Sequence, residues 1–410
     1  MRLSCGIDWA EANHDVAIVD GDGRVTARER ISNDAAGFAR LLSLLAEAGD
    51  SAQDTIPVAI ETDRGLLVAA LRAIGRPVYA INPLSASRYR ARHQVSGSKS
   101  DAADAVLLAN ILRTDADAHR RLPADTELAQ AIRVLARAQQ DAAWSRQQVG
   151  NQVRDLLKDF HPAALEAFAG LSGGGLARRD ARTVLAAAPT PAKAAKLTRA
   201  QLRALLVKAG RQRNIDTDVE RLHTILRATY LHQPPMVENA MGISLPALLR
   251  QFDAAATATE DLAEATATHF ERHPDAKILL SFPGLGQLTG ARVLAEIGDD
   301  RTRFADARGL KAYAGSAPIT RASGKKTVVL HRHIKNRRLA GVGPIWAFAS
   351  LKASPGARRH YDARRATGDW HQQAQRHLFN KILGQLHHCL HARSLYDEHH
   401  AFPPPLALAA

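Results

Sequence analysis

The chain has 410 residues, 46% of them hydrophobic, and a formal net charge of +14. This composition excludes a disordered chain and allows two or three domains with cores of their own. The positive charge points to a polyanionic partner, with nucleic acid the leading candidate and a merely solvated basic surface the alternative. The only cysteines, Cys5 and Cys389, suggest a reducing compartment and exclude a cysteine zinc site. Since no apolar run is long enough for a signal segment or a membrane span, we expect a soluble cytoplasmic protein.

Residues 1–125 are predicted to form an α/β domain with a mixed sheet. Residues 3–31 contain three short apolar segments, which are typical of a β-meander. The turn Asp20-Gly21-Asp22-Gly23 lies between the last two segments. A helix is expected over 35–48, a strand over 56–61, a helix over 66–74 and a strand over 78–81. A further helix begins after Ser100, which can cap it. Strands followed by alternating strands and helices indicate this fold class.

Four acidic residues of this domain form a candidate metal site. Asp8 and Glu61 stand where apolar strands end, the place where functional groups gather in open α/β sheets. Asp101 and Asp104, three residues apart in the first turn of the Ser100 helix, share one helical face. Such carboxylates could hold two Mg²⁺ ions ~4 Å apart, as in phosphodiester chemistry. The alternative is ordinary loop and first-turn acids. Their order on these elements resembles the RuvC-like branch of the RNase H fold.

A basic segment precedes the Ser100 helix. Arginines alternate with other residues around Tyr89, a pattern that suits contact with a phosphate backbone. A solvated helix face explains the pattern equally well. The candidate nucleic-acid contacts here are Arg88, Arg90, Arg92 and Lys99.

Residues 126–272 are predicted to be helical, and no chemistry is visible in them. Apolar residues from Leu128 to Leu156 follow a three-four spacing that marks one seam, which His161-Pro162 ends. A second helix is expected over 202–231, closed by Pro234-Pro235, and the pattern continues from 248 to 270. Antiparallel helical hairpins and a coiled-coil dimerisation arm would both explain it.

A mostly helical C-terminal domain is expected over 273–395, followed by a tail over 396–410. Residues 278–298 resemble a helix-hairpin-helix element around Pro283-Gly284-Leu285-Gly286. Gly284 and Gly286 would free backbone N–H groups at a helix N-terminus to meet a phosphate. A plain helical hairpin is the alternative.

Ser323 lies in a glycine-containing loop between Arg321 and the pair Lys325-Lys326. The surrounding cations would hold a phosphate and stabilise the charge that develops during attack by a hydroxyl. From the local sequence alone, a turn serine on a DNA-binding hairpin is the preferred interpretation. Further basic candidates follow at Lys335, Arg337 and Arg338.

The four acids, together with Tyr-Ala-Gly-Ser-Ala-Pro at 313–318 and Arg-Ala-Ser-Gly-Lys at 321–325, resemble the IS110 family of insertion-sequence transposases. The resemblance runs from Leu3 to about Leu395. It implies a RuvC-like domain whose acids bind Mg²⁺, with Mn²⁺ as a substitute. It also implies a serine nucleophile, by motif Ser323 with Ser316 as the fallback. The partners it implies are donor DNA, target DNA, a structured bridge RNA, and further copies of the chain in dimers and tetramers.

We therefore expect a recombinase that excises and inserts its insertion sequence by phosphodiester attack and strand exchange. It would be cytoplasmic, and associated with the nucleoid when bound to DNA. A RuvC-like, metal-dependent junction nuclease without serine chemistry is one alternative. A non-catalytic nucleic-acid-binding protein is the other. Changing Asp101 would separate the binder from both enzymes, and changing Ser323 would separate the recombinase from the nuclease.

Overall fold

The computed structural model describes residues 3–93, 100–169, 175–324 and 326–403. The chain divides into two compact units, residues 1–124 and 125–410. Unit 1 is mixed α/β, and unit 2 is helical apart from one β-hairpin. No helix in the described ranges is long and apolar enough to cross a membrane.

Unit 1 contains a five-stranded mixed sheet, as predicted. Its strands are β1 Ser4–Trp9, β2 Asn13–Val19, β3 Val25–Ser32, β4 Val58–Ile60 and β5 Val78–Ala80. The spatial order is β3-β2-β1-β4-β5. The meander pairs antiparallel, whereas β1, β4 and β5 run parallel. The carboxyl ends of the three parallel strands therefore meet at one edge of the sheet.

Helices cover both faces of this sheet. They are α1 Ala35–Glu47, α2 Leu66–Ala73, α3 Pro83–His93 and α4 Asp101–Asp115. Alternate strand residues face opposite sides. Val58 and Ile60 accordingly pack with the apolar residues of α1 and α2, whereas Ala59 between them packs with the apolar face of α4.

Two long helices dominate the first part of unit 2: α5 Glu127–Phe160 and α11 Pro235–Glu271. The start of α5 and the end of α11 share one core, in which Ile132 and Phe270 are both buried. The two helices therefore run antiparallel within one chain. Gly150 allows the close approach, since a Cβ there would lie 2.9 Å from the ring of Phe252.

Five shorter helices lie between them: α6 Pro162–Ala167, α7 Arg179–Ala187, α8 Pro191–Ala195, α9 Arg199–Lys208 and α10 Ile215–Ile225. The continuous helix expected over 202–231 is wrong. Gly210 and Asn214 have φ of 88° and 55°, and this left-handed backbone ends α9 before α10 begins. Pro235 closes no helix either. It starts α11, since a first-turn residue needs no N–H donor.

The remaining elements are α12 Ala276–Leu280, α13 Gln287–Ile297, α14 Ala307–Tyr313, β6 Ile319–Ser323, β7 Lys326–Leu330, α15 Arg337–Ala353, α16 Pro355–Ala366, α17 His371–Ala392 and α18 Glu398–Ala401. Trp346 is fully buried at their centre, between the rings of Phe282 and Phe379. The expected tail at 396–410 is part of this core at its start, because Tyr396 packs on Phe282 and Phe402 is buried. Residues 404–410 lie outside the described ranges.

Candidate functional site

Asp8 and Glu61 stand at the carboxyl ends of neighbouring parallel strands. The last paired residues of β1 and β4 are Ile7 and Ile60, and each acid follows its strand partner directly. Both acids are partly exposed. The register of the sheet therefore brings two of the four predicted acids to one edge.

Asp101 and Asp104 occupy the first turn of α4, and Ser100 caps it by accepting a hydrogen bond from the Ala103 N–H (3.3 Å). The structure confirms this part of the prediction. α4 crosses directly over β1, because a Cβ at Gly6 would lie 2.1 Å from the carbonyl oxygen of Ala105. The lack of a side chain at Gly6 thus lets the helix carrying these acids lie against the strand carrying Asp8.

The far end of α4 fixes its direction. Arg113, in its last turn, donates to the carbonyl oxygen of Gly21 (3.2 Å) in the β2–β3 turn. That turn follows Val19, which pairs with Ser4 at the start of β1. The first turn of α4 therefore points toward the end of β1 where Asp8 stands.

Sequence reasoning missed a fifth acid and an arginine. Asp15 lies directly across from Asp8 in the antiparallel β1–β2 pair. Arg30 of β3 places its guanidinium 3.5 Å from the Asp15 carboxylate and 3.7 Å from the Asp101 carboxylate. The hairpin spacing could have indicated the cross-strand position of Asp15, whereas the reach of Arg30 depends on side-chain placement.

Arg90, one of the predicted nucleic-acid contacts, lies in an ion pair within unit 1. Its guanidinium donates to the buried carboxylate of Asp104 at 2.5 Å. Arg88 and Arg92 are exposed on α3, consistent with either of the two interpretations of this segment. Lys99 lies outside the described residues.

The predicted four-carboxylate metal site is not assembled in this conformation. Across the described ranges, no three or more His, Cys, Asp or Glu side chains are arranged to hold a metal ion. Oxygen donors of this kind suit a hard divalent cation. Two of the four predicted acids are instead within ion-pair distance of arginines: Asp104 of Arg90, and Asp101 of Arg30. These arginines supply positive charge beside the two acids.

Ser323 ends strand β6 of an exposed two-stranded hairpin rather than lying in a loop. Its cross-strand partner is Lys326, and Arg321 pairs with Val328 two positions along. Cross-strand partners and residues two apart share a face. Ser323, Lys326 and Arg321 therefore lie on one exposed face. Gly324 forms the turn with φ of 58°, and Lys325 is not among the described residues.

Ser316 has a different setting from Ser323. It is buried, and its hydroxyl lies 2.9 Å from the Asn380 side-chain oxygen and 3.2 Å from the Lys311 carbonyl oxygen. A hydroxyl held this way fixes local structure, and a DNA phosphate could not reach it. The fallback nucleophile is thus disfavoured by burial.

The predicted basic cluster after the hairpin is only partly available to a ligand. Arg338 donates to the Asp141 carboxylate (2.8 Å) and stacks over the Trp144 ring, and so serves to join α15 to α5. Lys335 lies 2.7 Å from a ring nitrogen of His331. Burial and the Lys335 charge lower the pKa of His331. Arg337 is exposed.

The predicted phosphate-binding glycines differ in role. Gly284 has φ of 74°, and a Cβ there would lie 2.5 Å from the Ser350 backbone nitrogen. This glycine therefore serves the packing against α15. Gly286 is exposed at the N-cap of α13 with open space around it. The phosphate contact predicted for these two glycines stays a prediction.

A buried polar network at the base of the hairpin was also missed. The side-chain amide of Asn336 donates to Glu296 (2.6 Å) and to the Tyr313 hydroxyl (2.7 Å). Glu296 is fully buried and also accepts from Arg137 of α5. Burial raises the pKa of Glu296, but hydrogen bonds from Arg137 and Asn336 outweigh that effect and lower it overall. Through Tyr313 and Asn336, the network ties the segments before and after the hairpin to α5 and α13.

Comparison with known proteins matches the two parts of the chain that contain the candidate residues. A family model of transposases, the DEDD type of IS110 elements, matches residues 5–162. A second, described as the transposase IS116/IS110/IS902 family, matches residues 276–362. The first match spans the acids of unit 1, and the second spans the hairpin with Ser323.

Whole-chain relatives agree with these matches. The chain is 64% identical over 410 residues, covering 100% of itself and 99% of the relative, to the candidate transposase of the IS117 mini-circle in Streptomyces coelicolor. It is 30% identical over 363 residues, 87% of this chain and 83% of the relative, to a 43.6 kDa protein of insertion element IS110 from the same organism. It is 29% identical over 403 residues, 95% and 96% of the two chains, to a 42 kDa protein of IS900 in Mycobacterium paratuberculosis. The chain belongs to the IS110 family of insertion-sequence transposases.

Proposed function

We propose that this transposase is a DNA recombinase whose Ser323 hydroxyl attacks the phosphodiester backbone. The observation that carries the proposal is the exposed hairpin face that Ser323 shares with Arg321 and Lys326. A DNA phosphate docked there would meet a nucleophile and two cations at once. The cations would hold the phosphate and stabilise the negative charge that develops on its oxygens.

The proposed reaction conserves the phosphodiester bond energy. Attack forms a bond between the Ser323 oxygen and phosphorus and breaks one P–O bond of the DNA. The serine loses its proton, and the departing DNA oxygen gains one. A free hydroxyl end of a second strand then attacks the phosphoserine, joins the two DNAs and restores the serine. Excision and insertion of the element would follow from repeated exchanges of this kind, without a nucleotide cofactor.

We propose the RuvC-like RNase H fold for unit 1. The sheet order β3-β2-β1-β4-β5, in which β2 runs antiparallel to both β1 and β3, supports it. The matched transposase domain is consistent with a requirement for a divalent metal. The proposed ligands of Mg²⁺, or of Mn²⁺ as a substitute, are Asp8, Glu61, Asp101 and Asp104. Since arginines stand beside Asp101 and Asp104, a metal bound by these acids would compete with those ion pairs.

The proposed partners are nucleic acids and further copies of the chain. Donor and target DNA are the substrates, and a structured bridge RNA would select them by base pairing. The net charge of +14 supports a large polyanionic partner. Dimers or tetramers would let the serine of one chain act with the acids of another. The bound protein would be associated with the nucleoid.

Covalent trapping tests the proposal. The protein would be mixed with the RNA of its element, donor DNA, target DNA and Mg²⁺, and resolved on denaturing gels. We expect a DNA-linked protein band that is absent for Ser323→Ala. Asp101→Ala should lower product formation while leaving DNA binding intact. Cleaved DNA without linked protein, unchanged by Ser323→Ala, would support the metal-dependent nuclease instead. Binding without cleavage in the wild type would support the non-catalytic binder.

A further inference from the structure

The helical part of unit 2, where the sequence revealed no chemistry, contains a long basic groove. Two cavities of ≈840 Å³ and ≈740 Å³ share the lining residues Arg146, Ala177 and Glu260, so they form one continuous depression. We call this depression the arginine groove. Its described lining comes from α5, α6, α7, α9 and α11 and from residues 168–169 and 175–177.

Five cations line the arginine groove. They come from three different helices: Arg146, Arg154, Arg179, Arg182 and Lys208. Two carboxylates, Asp253 and Glu260, are the acidic members of the lining. Arg182 is paired with Asp253 at 2.5 Å and stacks over Phe252, so these two charges cancel. The groove retains a surplus of three positive charges.

Only the Glu260 carboxylate remains in the described lining to offset the other four cations. In the part of the chain that the structure describes, no ion pair joins Arg146, Arg154, Arg179 or Lys208 to a carboxylate. Neighbouring arginines outside the groove behave differently. Arg178 is paired with Asp180 at 2.5 Å and Arg199 with Glu220 at 2.7 Å. Among the described residues, the groove cations thus differ from these ion-paired neighbours.

We infer that the arginine groove binds the sugar–phosphate backbone of a single nucleic-acid strand, so this inference rests on the proposed function. Cavities of this size admit a ligand of several rings rather than a small ion. Unpaired guanidinium groups suit phosphates. The neutral lining groups Gln147, Asn151 and Thr183 can hydrogen-bond to sugars and bases. Such contacts position a strand without reading its sequence.

Site-specific protection tests occupancy of the groove. Both native cysteines are buried, and burial raises the pKa of Cys5 to about 12, so neither should react quickly. Thr257→Cys therefore introduces a thiol in the groove that should react much faster than either native cysteine. Thr224→Cys, on the exposed side of α10, is the control. We expect an oligo(U) RNA or an oligo(dT) DNA to slow alkylation at 257 about five-fold or more and to leave 224 unchanged. Protection by one oligomer but not the other would show whether the bound strand is RNA or DNA.

Charge removal supplies a second, independent readout. The variant Arg146→Gln/Arg179→Gln/Lys208→Gln should bind the protecting oligomer about 100-fold more weakly near ~0.1 M salt, with a shallower dependence of affinity on salt. Arg199→Gln, on the same helix as Lys208 but ion-paired outside the groove, should change little. Unaltered affinity and salt dependence in the folded triple variant, with no protection at 257, would overturn the inference. Covalent trapping through Ser323 would still succeed in that case, so the proposed function would survive.

Discussion

The guanidinium of Arg90 lies 2.5 Å from the carboxylate of Asp104, which is buried in the first turn of α4. Asp104, which the family resemblance assigns to a metal, is thus paired with an arginine. The pair joins α3 to α4, and the Arg90 Nε atom has no hydrogen-bond partner among the described residues. An arginine thus stands where a divalent cation would be expected.

Replacing Arg90 should expose this competition. We expect Arg90→Gln to lower the free energy of unfolding by about 3 kcal/mol without metal, because a buried carboxylate loses its partner. Mn²⁺ should restore part of that loss and should bind more tightly than to the wild type. Urea unfolding with and without Mn²⁺, together with electron paramagnetic resonance of bound Mn²⁺, measures both effects.

Arg92→Gln is the matched control, because Arg92 lies exposed on the same helix. It should change neither the unfolding free energy nor Mn²⁺ affinity. Equal Mn²⁺ affinity in wild type and Arg90→Gln would mean that Arg90 does not compete for Asp104.

Replacing the two candidate serines should affect the stability of the protein differently. Ser316→Ala removes a buried hydroxyl that is bonded to Asn380 and the Lys311 carbonyl. We expect a loss of about 1 kcal/mol, since the Asn380 side-chain oxygen loses its hydroxyl donor whereas the Lys311 carbonyl keeps its backbone donors. DNA linkage should persist in the folded fraction. Ser323→Ala should leave the melting temperature unchanged, because that side chain is exposed. Loss of linkage in Ser316→Ala with retention in Ser323→Ala would reverse the assignment.

The acids at strand ends could be predicted because short apolar runs are visible in a sequence. Asp8 and Glu61 follow such runs, and the parallel register then brings them together. Arg30 could not be assigned in the same way. Its position near Asp15 and Asp101 depends on the β2–β3 register and on a long side chain. Local spacing contains neither kind of information.

The helical middle illustrates a second limit. The apolar seam of α5 and its end at Phe160 were evident from three-four periodicity and the following His161-Pro162. The break between α9 and α10 was not, because the apolar pattern continues across it while Gly210 and Asn214 adopt left-handed backbone. Which arginines lack carboxylate partners, and thus form a basic groove, emerges only when several helices pack together.

The two glycines of the predicted helix-hairpin-helix should respond differently to substitution. Gly284→Ala places a Cβ 2.5 Å from the Ser350 backbone nitrogen at φ of 74°. We expect a loss of about 2–3 kcal/mol or more, from strain and from the clash. Gly286→Ala meets open space, so it should cost less than about 1 kcal/mol. Thermal unfolding measures both. A similar cost for the two variants would contradict the packing role of Gly284.

Asp299 should make the stability of unit 2 sensitive to acid. Its carboxylate accepts from the backbone and hydroxyl of Thr126 (2.9 and 2.6 Å) and lies 3.2 Å from a ring nitrogen of His273. Burial raises the pKa of Asp299, but the hydrogen bonds from His273 and Thr126 outweigh burial and hold it at about 2. Asp299, two residues after the end of α13, thereby ties that helix end to the start of α5 and to the turn after α11.

A pKa depressed in the folded state stabilises the protein above the unfolded value near ~4, and the contribution disappears as the pH falls toward 2. We expect Asp299→Asn to be about 2 kcal/mol less stable than wild type at pH 6. The difference should shrink between about pH 5 and pH 2. Urea unfolding across this range measures it, with Asp155→Asn, from an exposed ion pair, as the control. A difference that stays constant with pH would show that Asp299 acts through packing and hydrogen-bond geometry, with no contribution from its charge.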